Sequence, residues 1–254
     1  MAHSGLCCGL YRGSFYIKDL SDPNAALLPV GNAEANITQA LTEITQPNYQ
    51  SLGGNNCAVS YVDSVNLELT LHCTSPENLA LAFMGQYGQK TPGSVVEEKH
   101  TVNSVHELIP FENVALKSQP IVVTNGGAIT YVVNVDYVLT QAGIQIIEGT
   151  TIVMGSEIEI SYSFGENWFV DAQTVAQKTF MVVLDGMNVG EDGARPVVLK
   201  AWKVKFAPTD SFALISGTDF ASIVVNGQIL RDESKVVGSK FFKVEFGSEN
   251  AGAY

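Results

Sequence analysis

Two sets of polar residues in the sequence have side chains that could bind a cation. His100 and His106 could share a metal ion with Glu97 or Glu107, because imidazole and carboxylate groups are both common zinc ligands. The stretch that contains them is polar and charged throughout. A solvated surface segment is therefore the favoured interpretation of these residues.

The second set consists of oxygen ligands suited to calcium, and it lies in the segment 185–196. The residues concerned are Asp185, Asn188, Glu191 and Asp192. Their spacing does not match the D-x-D-x-D-G pattern of calcium-binding loops. An ordinary connection between two strands, rich in glycine and aspartate, is the favoured interpretation.

Motifs of nucleophilic, nucleotide-dependent or metal-dependent catalysis are absent from the sequence. It contains no G-x-S-x-G, G-x-G-x-x-G, P-loop or H-E-x-x-H. The histidines are scattered, and no cysteines stand at zinc-ligand spacing, so reduced thiols are expected. The cysteines are Cys7, Cys8, Cys57 and Cys73. The sequence therefore predicts a protein that is not an enzyme and needs no cofactor.

The balance of charge argues against tight binding of nucleic acid. The 254 residues include 26 acidic and 14 basic ones, a net charge of −12, and such a surface repels phosphate. Lys200, Lys203 and Lys205 share a segment with two aromatic residues and could form a nucleic-acid platform. The overall acidity favours intersubunit ion pairs or a solvated face instead.

Neither a secretion signal nor a membrane span is predicted. The N-terminus lacks a charged region followed by an apolar one, and no apolar run approaches the roughly 18 residues of a transmembrane helix. We therefore expect no membrane binding by this chain. The abundance of valine, isoleucine, threonine and aromatic residues, with glycine between short alternating runs, predicts a β-rich fold.

The element that must position most other residues is a strand that ends at about residue 73. Its apolar positions are Val65, Leu67, Leu69, Leu71 and Cys73. The polar positions between them are Asn66, Glu68, Thr70 and His72. A period of two with one apolar face predicts a half-buried antiparallel strand.

A short helix is predicted directly after this strand, at about residues 75–85. Ser75 is a suitable N-cap, and Pro76 stands at the first helical position, where its missing N–H costs nothing. Leu79, Ala82 and Phe83 form an apolar stripe. Gly85 is expected to take the left-handed conformation that ends the helix.

The rest of the chain predicts a long hairpin, a linker and an inserted block. A bent or bulged strand over 33–45 precedes a long loop, Gln46–Cys57, and the central strand. Residues 86–104 read as a surface linker, and 105–164 as a β-rich inserted subdomain. Its core would include Ile158, Ile160, Tyr162 and Phe164. The predicted fold is mainly β, an antiparallel β-sandwich or barrel of residues 1–104 and 165–254 with one short flanking helix.

Several motifs in this order resemble the major tail tube proteins of phages with long non-contractile tails. They include L-P-V-G-N at 28–32, S-P-E-N-L-A-L-A-F-M-G at 75–85, L-D-G-M-N-x-G-E-D-G at 184–193 and D-F-A-S-I-V-V-N-G-Q-I-L-R-D at 219–232. The resemblance implies a fold related to the type VI secretion tube protein. It implies hexameric rings that stack into the tail tube, the conduit for DNA in the virion.

The resemblance also implies partners and a cellular context. The chain would bind itself, within and between rings, and would meet the tape measure protein, the tail terminator and the distal tail protein. DNA would be transient cargo only. Assembly would take place in the cytoplasm of the host bacterium.

Two sets of site residues follow from this resemblance. If the polar face of the hairpin lines the channel, the lumen-facing residues are those that alternate with the apolar ones: Glu34, Asn36, Thr38, Asn66, Glu68 and Thr70. Rings of Glu68 would keep DNA phosphates off the wall. The predicted inter-ring loop comprises Pro47, Asn48, Tyr49, Leu52, Gly53, Gly54, Asn55 and Asn56.

A different class of protein would explain the β content and the acidity equally well. A β-sandwich binding module, such as a virion decoration protein or an adhesin, needs no self-assembly. It would not require a long hairpin with a loop at 46–57. A monodisperse monomer in solution would favour this alternative.

Overall fold

A computed structural model describes residues 9–47, 49–50, 54–190, 193–215 and 220–247. These residues form antiparallel β-sheets and one short helix, so the predicted mainly β fold class is confirmed. The first elements in the chain are β1 (Gly9–Asp19), β2 (Leu28–Pro29), β3 (Ala33–Pro47), β4 (Asn55–Leu71) and α1 (Pro76–Phe83).

The remaining elements are all strands. They are β5 (Gln86–Lys90), β6 (Gly93–Thr101), β7 (Leu108–Pro110), β8 (Val122–Thr124), β9 (Tyr137–Leu139), β10 (Gly143–Ile146), β11 (Glu157–Phe164), β12 (Asn167–Asp171), β13 (Thr179–Gly190), β14 (Gly193–Phe206), β15 (Ile223–Ile229) and β16 (Phe242–Phe246). Most of the residues in regular structure therefore lie in strands, and β3, β4, β13 and β14 are the longest of these.

The chain divides into two compact units. Unit 1 comprises residues 1–87 and 170–254, and unit 2 comprises residues 88–169. Unit 2 is larger at both ends than the block 105–164 that the sequence suggested. The stretch 86–104 is not a linker, because it forms β5 and β6. Its charged residues Glu97, Glu98 and Lys99 lie in β6, which pairs with β11 from Glu157↔Thr101 to Phe164↔Gly93.

Unit 1 is built on one large sheet with the strand order β2-β1-β13-β14-β15-β4-β3, and β16 also pairs with β14. The apolar side chains of the last part of β4, residues 65–71, lie on the inner face of this sheet, where Leu67, Leu69 and Leu71 are at most 1% exposed. They share one core with Val204, Phe206 and the side chains of β1, β13 and β15. Each buried leucine stabilises the unit by about 1.5–3 kcal/mol.

The helix α1 begins as the sequence predicts. Ser75 accepts a hydrogen bond from the N–H of Asn78, and Ala82 is buried against the sheet. The predicted C-cap is wrong by one residue, because Met84 takes the left-handed conformation. Gly85 follows it and donates to Ala80 O at 2.8 Å, which completes a Schellman motif.

Gly85 is needed for a close approach of two backbones. A Cβ at this position would stand 2.4 Å from Asp171 O. Asn78, which the sequence analysis did not single out, is buried and ties the helix to backbone just beyond the ends of β2 and β4. Its amide donates to Val30 O at 2.9 Å and to Cys73 O at 2.8 Å. Cys73 itself is exposed, so its placement on the apolar face is wrong; β4 ends two residues earlier.

Two connections are much shorter than predicted. The strands of the β3–β4 hairpin pair as far as Gln46↔Cys57 and Pro47↔Asn55, within the predicted loop Gln46–Cys57. The strands β13 and β14 likewise pair as far as Gly190↔Gly193, within the segment 185–196 that was expected to be a loop. Glycine, asparagine and proline indicate turns locally, but a neighbouring strand that satisfies the backbone hydrogen bonds extends the ladder through them.

Unit 2 has a separate core between two three-stranded sheets, β7-β10-β9 and β6-β11-β8. Ile158, Ile160 and Tyr162 of β11 are buried in it, and Phe164 packs against it. Asp136 is a buried carboxylate in this unit, and its side chain accepts hydrogen bonds from the N–H groups of Val132 and Thr151. Burial raises the pKa of Asp136, but these bonds outweigh burial and hold the pKa below its usual value.

Candidate assembly surface

The outer face of the inner hairpin carries the polar residues that the sequence singled out. Glu34, Asn36 and Thr38 are exposed on β3. In the ladder they stand opposite Thr70, Glu68 and Asn66 of β4 respectively. The structure therefore brings all of the predicted lumen-facing residues together on one face of one hairpin.

Side-chain contacts on this face are weak and open to solvent. The amide nitrogen of Asn36 lies 3.4 Å from Glu68 Oε1, and His72 Nε2 lies 3.4 Å from Glu34 Oε1. The Glu34 carboxyl group is largely exposed. Exposed pairs of this kind add little to stability, so the polarity of this face reflects its contact with solvent more than these pairs.

The same polar face continues across two further strands. Asn226 stands opposite Glu68, Gln228 stands opposite Asn66, and Lys205 of β14 stands opposite Gln228. These residues line a shallow groove of about 940 Å³ together with Asn36 and Thr38. The groove offers amide donors and acceptors and charges of both signs, with few apolar side chains.

Sequence reasoning missed the part of the groove on β14 and β15. A signal existed in I-V-V-N-G-Q-I at 223–229, where Ile223, Val225 and Ile229 are buried and Asn226 and Gln228 point the other way. No local pattern, however, indicates that β15 pairs with β4. Gly227 lies where side chains pack closely, because a Cβ there would stand 2.7 Å from a ring carbon of Phe206.

Beyond a bulge between Ala40 and Leu41, the character of the hairpin changes. We call residues 40–47 and 55–64 the arm. Its strands pair with each other but, among the described residues, with no third strand, since β15 ends its pairing at Asn66. Several apolar side chains of the arm are largely exposed: Leu41, Ile44, Val59, Tyr61 and Val62. An isolated two-stranded hairpin of this kind is marginally stable in water unless another surface covers it.

The predicted inter-ring loop lies at the tip of the arm. Pro47 and Asn55 close the ladder, and Asn56 is exposed in β4. Tyr49 is 85% exposed, and Gly54 has a φ of +87° with open space around it. Asn48, Leu52 and Gly53 lie outside the described residues. The described part of the tip therefore presents polar backbone and one large aromatic side chain to solvent.

The two outermost strands of the large sheet leave long edges open. Among the described residues, β4 is the only strand that pairs with β3, so the other edge of β3 has no partner. At the opposite end, β2 covers β1 only at Tyr16 and Ile17. Unpaired edges of this length invite pairing with another chain.

Two of the candidate metal ligands of unit 2, His100 and Glu107, are engaged in other contacts. His100 Nε2 lies 2.7 Å from Glu98 Oε1, and the hydroxyl of Tyr162 donates to Glu98 Oε2 at 2.6 Å. Burial raises the pKa of Glu98, but the bonds from Tyr162 and His100 outweigh it and lower the pKa. Glu107 accepts from Asn103 N–H. Within the described ranges, no three His, Cys, Asp or Glu side chains come close enough to hold a metal ion.

A family model described as "protein of unknown function UCP028589" matches residues 10–245. The chain belongs to this family. The match spans the segments of both units and both edges of the large sheet. None of the curated proteins searched matches the chain. In the part of the chain that the structure describes, no helix is long and apolar enough to cross a membrane.

Proposed function

We propose that this protein is a structural subunit of a phage tail, which assembles into rings that stack into the tail tube. The observation that carries the proposal is a single large sheet with two different open edges, at β3 and at β1. An edge of one copy can pair with the other edge of the next copy. Such a head-to-tail contact generates a closed ring when the rotation closes.

The two faces of the sheet support an assignment of the lumen. The apolar face is filled by the core of unit 1, so only the polar face is free to line a water-filled channel. Glu34 and Glu68 would then recur around the bore and repel DNA phosphates. Lys205 lies on the same face and offsets part of that charge. DNA would pass as cargo without being held.

The arm supports stacking of one ring on another. It extends beyond the part of the hairpin that the core covers, and its exposed apolar side chains would be buried by a second copy. A contact that repeats along one axis propagates as a filament. In this proposal the protein has no catalytic activity and no cofactor, and it resides in the virion after assembly in the host cytoplasm. The tape measure protein, the tail terminator and the distal tail protein would be its other partners.

Electron microscopy of the purified protein and of assembled tails tests the proposal. We expect rings or tubes of this protein in negative stain, and tubes built from it in the tail. Tail subunits can remain monomeric until an initiator is present, so the tail is the decisive specimen. A tail whose tube contains another protein, with this chain as a monodisperse monomer, would contradict the proposal and favour a β-sandwich binding module.

Removal of the tip tests the role of the arm. Deleting Pro47–Asn56 should leave folded subunits that form rings but no stacks, because the core of unit 1 does not include these residues. Circular dichroism confirms folding, and microscopy separates rings from tubes. If the deleted protein still forms tubes, the stacking role of the tip is wrong.

A charge reversal tests the lumen assignment. We expect Glu68→Lys to assemble normally and to slow DNA ejection, since a cationic ring would hold phosphate. Glu148→Lys, the same charge reversal at an exposed position of unit 2, serves as the control. Unchanged ejection by Glu68→Lys, or a tube structure with Glu68 outside the bore, would refute the assignment.

A further inference from the structure

The charges of the large sheet are divided unevenly between its two edges. At one edge, the β3–β4 hairpin carries four acidic residues and no basic one: Glu34, Glu43, Asp63 and Glu68. The strands of the other half, β1, β13, β14 and β16, carry three acidic residues, Asp19, Asp185 and Glu245, and seven basic ones: Arg12, Lys18, Arg195, Lys200, Lys203, Lys205 and Lys243. Glu191 and Asp192, in the connection between β13 and β14, lie outside the described residues. The strands at opposite edges of one sheet therefore carry net charge of opposite sign.

The part of β1 that β2 leaves uncovered, residues 9–14, contains one charged residue, Arg12. Arg12 is exposed, and within the described part of the chain it forms no ion pair. Phe15 and Ile17 of the same strand pack in the core of unit 1. Because side chains alternate along a strand, Arg12 lies on the polar face of the sheet.

On β3, Glu34 is the charged residue of the polar face. Alternation places Glu43, the other charged residue of this strand, on the opposite face. The Glu34 side chain is 78% exposed, and its contact with His72 Nε2 is 3.4 Å long. Arg12 and Glu34 therefore lie on the same face, at opposite edges of the sheet, and neither has a strong ionic partner among the described residues of its own chain.

The directions of the strands allow the β1 edge of one copy to continue the sheet of another. Neighbours in the order β1-β13-β14-β15-β4-β3 are all antiparallel, so β1 and β3 run in opposite directions. When two copies stand side by side in the same orientation, β3 of one and β1 of the next therefore form an antiparallel pair. The polar faces of both sheets then lie on the same side.

The backbone groups of the two edges are also free to form a ladder. Phe15 O accepts from Val30 N–H at 3.0 Å, so alternation directs the N–H and C=O groups of Tyr11 and Gly13 away from β13 as well.

On β3, Asn32 O accepts from His72 N–H at 2.9 Å, which means that the backbone groups of Ala33 and Ala35 point away from β4. Among the described residues, no strand pairs with these groups of β3. Both edges therefore offer unused donors and acceptors at every second residue.

We propose that Arg12 of one copy forms an ion pair with Glu34 of the next, and that this pair selects the contact between the β1 edge and the β3 edge. The inference rests on the proposed self-assembly and names the residues that decide which edges meet. In the register that joins them, Gly13 stands opposite Ala33 and Tyr11 opposite Ala35 as hydrogen-bonded pairs. Arg12 then stands directly opposite Glu34 on the polar face.

The charges select a second copy in this arrangement over the symmetric alternatives. A contact between two β3 edges would bring together two hairpins that carry only acidic charge. A contact between two β1 edges would bring Arg12 close to the Arg12 of the other copy. Like charges across a ladder are destabilising and unlike charges are favourable, so the net charge of −12 is overcome where the two different edges meet. A Glu34 carboxylate that pairs with Arg12 repels DNA less, and the repulsion in the bore then depends mainly on Glu68.

An exchange of charges tests the ion pair. We expect Arg12→Glu alone and Glu34→Arg alone each to raise the protein concentration needed for ring formation at least about tenfold. Both substitutions in one chain should restore assembly to within about threefold of the wild type, because the pair is re-formed with its charges exchanged. Lys117→Glu and Glu148→Arg, at exposed positions of unit 2, change the net charge by the same amounts and are the controls.

Circular dichroism shows whether each variant is folded. If the single variants Arg12→Glu and Glu34→Arg assemble at the wild-type concentration, the inference is wrong and the proposed function still stands. A double variant that assembles no better than the single variants would also overturn the inference.

Disulfide trapping reads the register and does not require complete rings. With Arg12 opposite Glu34, Leu10 stands opposite Asn36 as a non-hydrogen-bonded pair, whose Cα atoms are about 4.5 Å apart and suit a disulfide. In a background with the four native cysteines changed to serine, Leu10→Cys protein is mixed with Asn36→Cys protein and oxidised. We expect the dimer of the two variants to exceed either homodimer at least about tenfold. Thr38→Cys in place of Asn36→Cys is the control, because its Cα would be about 8 Å from that of residue 10, beyond the reach of a disulfide.

The outcomes separate this inference from the proposed function. Homodimers in equal yield would reveal symmetric contacts and overturn the inference, and so would equal linkage through Thr38→Cys. An unlinked mixture at concentrations where the wild-type protein forms rings would overturn it and leave the proposed function standing. If no specimen of the wild-type protein contains rings or tubes, the proposed function is wrong. In that case a dimer of the two variants that Glu34→Arg abolishes would still support the contact between the edges, and its absence would contradict both.

Discussion

The β3–β4 hairpin has two halves that differ in what covers them. In the inner half, residues 33–39 and 65–71, the strand β15 pairs with β4 and a core lies beneath. In the arm, the same two strands continue, no third strand in the described part of the chain pairs with them, and apolar side chains such as Ile44 and Val59 are exposed. Apolar residues in a paired strand are thus buried only where another element meets them.

This difference separates residues that stabilise the subunit from residues that are available to a partner. A buried leucine of the inner half contributes to the free energy of unfolding of unit 1. An exposed isoleucine of the arm contributes almost nothing until a second surface covers it. If the protein assembles as proposed, the hairpin links folding to assembly through one continuous pair of strands.

The largest effect on stability is expected in the inner half. Leu69→Ala should lower the free energy of unfolding by about 2–5 kcal/mol, because Leu69 is fully buried and its truncation leaves a cavity. Val59→Ala, in the exposed part of the same strand, should change it by less than about 0.5 kcal/mol. Urea denaturation of the monomer measures both. If the two variants lower the free energy of unfolding equally, the two halves of the hairpin do not differ in their contribution to stability.

A smaller effect on the free energy of unfolding is expected where β15 pairs with the inner half of the hairpin. Gly227→Ala should destabilise unit 1 by about 1–3 kcal/mol, since the added Cβ would stand 2.7 Å from Phe206 and 2.8 Å from Val204 in a packed core. Gly127→Ala in unit 2, whose nearest neighbour would be 3.4 Å away, is the control. An unchanged midpoint of thermal unfolding in the Gly227→Ala variant would show that the side chains around this position of β15 are not tightly packed.

In the arm we expect assembly to change and stability to stay constant. The double variant Ile44→Ser and Val59→Ser should unfold within about 0.5 kcal/mol of the wild type but fail to form stacked rings. The double variant Val236→Ser and Val237→Ser, at residues that are even more exposed, should still form tubes. Denaturation and negative-stain microscopy provide the two measurements. If the arm variant forms normal tubes, the arm is not part of the interface between rings.

The smallest perturbation uses no mutation. In the monomer, amide hydrogens of the arm should exchange at least about tenfold faster than those of residues 65–71, because fewer contacts oppose local opening. In assembled tubes the arm should become protected. Hydrogen exchange with mass spectrometry resolves the two segments. An arm that exchanges slowly in the monomer would mean that it is already stable alone.

The sequence by itself determined the parts of this protein that depend on local periodicity. The alternation from Val65 to Leu71 established the buried face and the polar face of β4, and the change of period after Ser75 established α1. It also placed Asn36 and Glu68 on the polar faces of their strands. Side-chain direction along a strand or helix is a property of neighbouring residues, so it can be read without the rest of the chain.

Only the tertiary structure decided which strands meet and where they end. In the structure, β3 and β4 continue into the predicted loop, and residues 93–101 form β6 instead of a linker. Asn226 of β15 lies opposite Glu68 of β4. Hydrogen bonds of a ladder join backbone groups that every residue except proline carries in the same form. Partner and length of a strand therefore depend on which distant segment packs beside it, and this information is absent from the local pattern.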